Sequence, residues 1–130
     1  MLIDCRPAER VKPRDAAVFA RTASIAASVG WDYQLAHAVD PVLADNVRWL
    51  AGYRHPRFAA AAHRDGLGER LRAVFTESRP LRAGVEQVGP AVAVLPVAFH
   101  LLWTRDLECD TAAAPMTMDM PVRTATAAAQ

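Results

Sequence analysis

Residues 2–35 read as strand, helix and strand joined by short turns, the order of a βαβ unit. The first strand is Leu2-Ile3-Asp4-Cys5-Arg6, a short apolar run carrying one acid and one base two residues apart. Side chains alternate faces along a strand, so Asp4 and Arg6 share one face while Ile3 and Cys5 share the other. Arg6-Pro7 ends the strand, and Ala8 to Lys12 reads as a basic loop. A helix is predicted from Pro13 to about Val29, with Val18, Thr22, Ile25, Ala26 and Val29 at helical spacing and Phe19 and Ala23 widening the stripe. Gly30 suits the left-handed position just past a helix end. Trp31 to Leu35 alternates apolar and polar residues with aromatic enrichment, which predicts the second strand. Such a unit is one half of an α/β core.

Asp40-Pro41 is an N-cap followed by proline at the first helical position. The helix it starts places Leu43, Val47 and Leu50 on one face and ends at Gly52; Tyr53 to Arg57 breaks it, and a short alanine-rich helix follows from Phe58 to His63. From Leu67 the character changes to helical segments separated by Pro and Gly: Glu69 to Phe75, Leu81 to Val88, and Ala91 to Arg105. The last of these is apolar on nearly every side and therefore largely buried. Leu107 to Asp110 and Met118 to Val122 are candidate strands of a hairpin, and helices followed by a hairpin are the order of a winged-helix module. The expected organisation is 1–66, 67–123 and a small, alanine-rich tail, 124–130.

Composition narrows the class. With 52% hydrophobic and 22% charged residues the chain belongs with folded proteins. A formal net charge of +1 does not mark a nucleic-acid binder. Of fifteen cationic residues only Lys12 is lysine, which suits bidentate phosphate contact and equally suits a GC-rich, alanine-rich coding bias. Cys5 and Cys109 fit no metal-ligand spacing, and isolated thiols behind a start with no export signal point to a reducing cytoplasm. The most apolar stretch, Ala91 to Trp103, is too short to span a bilayer.

The acid–x–base doublet is the sharpest chemical feature. In a metal-dependent nuclease a carboxylate binds Mg²⁺ and a neighbouring cation stabilises the charge that develops on phosphorus. Asp4 has the chemistry for the first role and Arg6 for the second, although a guanidinium holds its proton and cannot act as a base. An ordinary strand-edge ion pair is the plain alternative.

The runs Asp4-x-Arg6-Pro7, Arg10-Val11-Lys12-Pro13-Arg14-Asp15, Phe19 and Val29-Gly30-Trp31-Asp32-Tyr33 resemble the back half of a TnsA-type endonuclease. So do Asp40-Pro41-Val42-Leu43, Asn46 to Leu50 and Tyr53-Arg54, and the later runs Val94-Leu95, His100 to Trp103 and Leu107 to Asp110 resemble that family's C-terminal region. The similarity spans about residues 2–123 and is carried by order and spacing, and the arginine-rich style resembles the family's actinobacterial branch. It implies a restriction-endonuclease-like α/β core with a PD-(D/E)xK-type site, followed by a mainly helical, winged-helix-like C-terminal module. It also implies a subunit of a heteromeric transposase that nicks the 5′ ends of a transposon in Mg²⁺, beside a TnsB-type transposase and a TnsC-type ATP-dependent regulator. By this resemblance Asp4 stands where the family has a carboxylate or glutamine, and Arg6 where it has lysine. The family's upstream glutamate and central metal-binding aspartate precede this strand, so the chain is expected to be an N-terminally shortened form that does not cut DNA alone.

Arg10, Lys12 and Arg14, beside Arg6, are candidate contacts to the DNA backbone, with a solvated loop as the alternative. Arg54 and Arg57 are candidates too, although a helix terminus attracts cations without any ligand. His100, one turn from Trp103, is expected to be a hydrogen-bonded core histidine. Two other functional readings stay open: a non-catalytic docking module for a transposition regulator, and a small winged-helix DNA-binding protein.

Overall fold

β1 (Leu2–Cys5) and β2 (Tyr33–Ala36) pair in parallel, with Leu2 opposite Tyr33 and Asp4 opposite Leu35, in the computed structural model, which describes residues 1–126. Between them run a 3-10 turn (Ala8–Arg10) and α1 (Pro13–Ser28). Parallel strands need such a crossover, because a tight turn cannot return the chain to the same end of the sheet. Gly30 closes α1 at φ +74°, in the left-handed region that its lack of a Cβ permits. The βαβ order expected of residues 2–35 is therefore present, with the second strand shifted past Trp31. These elements belong to the first of two compact units, Met1–Asp40; the second begins at Pro41.

The helical stripe needs a correction. Phe19 and Ala26 are buried, whereas Val18, Ile25 and Val29 are 60%, 59% and 62% exposed. All five lie within one broad apolar arc, and α1 is rotated so that its Phe19 side is the covered one. Periodicity located the arc but not the part of it that packs. Ile3, on the opposite sheet face from Asp4, is 50% exposed.

In the second unit α2 (Pro41–Ala51) and α3 (Pro56–His63) precede a 3-10 turn at Arg64–Gly66. Then come α4 (Leu67–Val74), β3 (Arg79–Pro80), α5 (Leu81–Val88), α6 (Ala91–Thr104), β4 (Leu107–Glu108) and β5 (Pro121–Thr124). The sheet is antiparallel with order β3-β5-β4. α6 packs against α2, α3, α4, α5 and β4, which is why it has no polar side to offer water. Phe75, Leu71, Leu81, Val85, Leu107 and Val122 are completely buried around it. Each such side chain stabilises by about 1.5–3 kcal/mol relative to exposure. His100 is the buried polar side chain on α6: its Nδ1 lies 2.8 Å from the Tyr53 carbonyl, so that nitrogen carries the proton and ties the end of α2 to the core.

The expected hairpin forms, but its second strand is Pro121–Thr124 and a third strand, β3, joins it. The expected boundary after Gly66 falls inside the second unit, because α3 packs on α4 and α6. The tail also begins later than expected. Thr124 donates its N–H to Phe75 O at 2.7 Å, and Ala125 N–H bonds Asp106 O at 3.0 Å. The remainder of the tail, 127–130, lies outside the described residues. Among the described residues no helix is long and apolar enough to cross a membrane.

Candidate functional site

The site is built where the carboxyl ends of β1 and β2 meet the amino end of α1. In α/β sheets that edge is the usual place for ligands, because loops open there and helix N–H groups point outward. Parallel register sets the first contact. Residues opposite one another share a face, so Asp4 lies with Leu2, Tyr33 and Leu35 on the covered side of the sheet. Asp4 is half-buried there. The Tyr33 hydroxyl is buried and makes no hydrogen bond, yet it sits close enough to Asp4 to feel its charge. Burial first, and the Asp4 carboxylate second, push that hydroxyl above the ordinary tyrosine value.

Arg6 lies one residue past β1, and its N–H still donates to Ala36 O at 2.9 Å. The ladder thus carries the chain to Arg6, and no ion pair joins Arg6 to Asp4 among the described residues. The charge of Arg6 acts instead on Asp15, in the first turn of α1. Asp15 accepts the Lys12 N–H at 2.9 Å, the side-chain half of a capping box; Lys12 has no acceptor with which to return the bond. That bond, with Arg6, Arg14 and Lys12 nearby, outweighs partial burial and holds the Asp15 carboxyl below the usual carboxylate range. Arg14 Nε stands 3.8 Å from Asp15 Oδ1. Three cations therefore gather at one carboxylate, leaving a surplus of positive charge at a helix N-terminus. Arg10 ends the preceding 3-10 turn and is exposed, and His37 Nδ1 lies 3.3 Å from Arg6 O at the end of β2.

The candidates Arg54 and Arg57 belong to the second unit. Arg54 donates to Ala51 O at 2.9 Å, closing the last turn of α2, while the Arg57 guanidinium lies 4.5 Å from the centroid of the Phe58 ring. Both are engaged locally, the first by the helix-terminus attraction that needs no ligand.

Asp4 is also the candidate metal ligand. Mg²⁺ takes one or two carboxylates with water and substrate oxygens in octahedral array. Among the described residues no three His, Cys, Asp or Glu side chains gather to hold a cation. Asp4, facing a tyrosine, does not by itself fit a magnesium site. Cys5 and Cys109 are free thiols, and burial pushes the Cys109 thiol up.

Two members of the site were not singled out from the sequence. Tyr33 meets Asp4 only through the strand register, which no local pattern discloses. Asp15 had a visible signal, since an acid three residues after a helix start is the reciprocal half of a capping box. No protein-family model, no curated protein and no solved structure matches the chain.

Proposed function

We propose that the chain is a DNA-backbone-binding part of a metal-dependent endonuclease subunit of a heteromeric, TnsA/TnsB-type transposase. The observation that carries the reading is the gathering of Arg6, Lys12 and Arg14 at the amino end of α1, beside the carboxyl ends of two parallel strands. A phosphate approaching there meets the positive end of the helix dipole and guanidinium forks together. On this reading Arg6 binds and orients a phosphate and stabilises charge on it; it takes no proton. Asp4 supplies one carboxylate. Because that carboxylate alone does not make a magnesium site, phosphate binding is assigned to this chain and the cutting step is not.

On this reading transposon-end DNA is the ligand, a TnsB-type transposase acts on the other strand, and a TnsC-type regulator docks on the complex. The order helix, strand, helix, helix, strand, strand over 67–124 supports a winged-helix-like second unit. Its α6, however, carries no Lys or Arg, and its one histidine is buried. A helix without exposed cations is a poor reader of DNA, which favours protein docking over DNA recognition for that unit.

Duplex binding tests the proposal. Fluorescence anisotropy against salt concentration should give a falling log–log line, with a slope of roughly 0.9 per phosphate neutralised. Replacing Arg10, Lys12 and Arg14 together by glutamine should lower that slope by about 2 to 3. An unchanged slope, with the fold intact by circular dichroism, would move DNA contact away from this segment.

A further inference from the structure

The second unit carries an aromatic groove that the core does not use. Trp49 on α2 is 55% exposed although it is the largest kind of side chain, and it stands 6.0 Å from both Tyr53 and Phe99. Tyr53 in turn lies 5.3 Å from Phe58 on α3. Trp49, Tyr53 and Phe58 line an open groove of about 560 Å³ between α2 and α3, and Arg48, Arg57 and Asp45 complete its walls. The rim is unbalanced in charge. Asp45 is already paired with Arg48, whereas Arg57 has no carboxylate partner among the described residues. Arg57 lies over the Phe58 ring, an arrangement that holds its planar guanidinium still and leaves N–H edges for a bidentate acceptor.

We propose that this groove docks a segment of a partner protein that presents one bulky apolar side chain beside carboxylates. The apolar side chain fills the space against Trp49 and Tyr53, and a carboxylate meets Arg57. Trp, Tyr and Arg are the residues that dominate binding energy at protein interfaces, and here they adjoin one pocket large enough for a single anchor. The one unpaired cation of the lining, Arg57, favours an acidic partner. Single-stranded nucleic acid is the rival occupant, and the ring geometry disfavours it. The rings are inclined to one another by 39° to 88°, so they offer no parallel faces for successive bases, and Arg57 covers Phe58. The inference uses the second unit alone and does not depend on the endonuclease reading.

A random-peptide display library selected on the full chain tests it. Enriched peptides are resynthesised and their affinities measured for the wild type, Trp49→Ala and Arg57→Glu, with oligothymidylate as competitor. The expected result is enrichment of peptides with acidic residues flanking an aromatic or leucine anchor, weakened at least about tenfold by either substitution. Arg57 is exposed, so its reversal keeps the test decisive even if Trp49→Ala fails to fold. No enrichment, enrichment without acidic residues, or affinities untouched by both substitutions would overturn the proposal. Displacement by oligothymidylate would also overturn it and assign the groove to single-stranded nucleic acid.

Discussion

Gly84→Ala is expected to destabilise the protein by about 3 kcal/mol, although alanine is the better helix former. Gly84 sits inside α5, where the exchange alone would gain up to about 1 kcal/mol of helix propensity. A Cβ there would stand 2.2 Å from Phe75 Cζ and 2.5 Å from Cε1, far inside van der Waals contact. Phe75 cannot step aside, because it is completely buried against neighbours that are themselves completely buried. Interiors packed at crystal-like density transmit such an overlap into off-rotamer side chains and backbone shifts. Steric overlap therefore wins over propensity. Denaturant unfolding followed by circular dichroism reads the change, and Phe75→Leu in the same chain should recover part of it by shortening the ring. A Gly84→Ala protein as stable as the wild type would show that α5 does not press on Phe75.

Asn46→Ala is expected to cost about 3 kcal/mol for a different reason. Asn46 is 5% exposed and uses its whole amide on the connection between β4 and β5. Its nitrogen donates to Thr111 O at 2.9 Å and Ala114 O at 2.8 Å, and its oxygen accepts the Met116 N–H at 3.0 Å. The connection runs from 109 to 120 without a helix or strand of its own, so α2 supplies hydrogen bonds that no ladder provides. Alanine would leave three backbone groups without those partners. Beyond the loss in unfolding free energy, the Met116 amide should lose its hydrogen-exchange protection. Asn46→Asp should not restore stability, because a carboxylate keeps one acceptor but turns negative charge toward two carbonyls. Retained protection at Met116 in Asn46→Ala would mean that the loop holds its shape without α2.

These two residues also show where sequence patterns stop. The span of α5 is legible in full, since Pro80 precedes it and Gly89-Pro90 follows it, and α1 and α6 are legible from periodicity and from continuous apolar character. β3 is only Arg79–Pro80; it exists because β5 pairs with it, and no local pattern announces a two-residue strand. Asn46 looks like any polar helix residue until the loop folds back onto it. The same holds for the division at Asp40, since the change of composition near Leu67 says nothing of α3 packing on α6. At the candidate site the charge run was visible as Arg6, Arg10, Lys12 and Arg14. Its focus on Asp15, and the pairing of Asp4 with Tyr33, depend on the parallel register and the helix start.

On the proposed reading this chain contributes DNA-backbone contacts and one carboxylate to a nuclease site, and among the described residues no cluster of His, Cys, Asp or Glu could hold the metal. Nicking of supercoiled plasmid, measured at protein concentrations that saturate duplex binding and with Mg²⁺ or Mn²⁺ supplied, tests it most directly. The expected result is no nicked circle above the metal-free control. Efficient metal-dependent nicking by the isolated chain, abolished by Asp4→Ala, would contradict the claim.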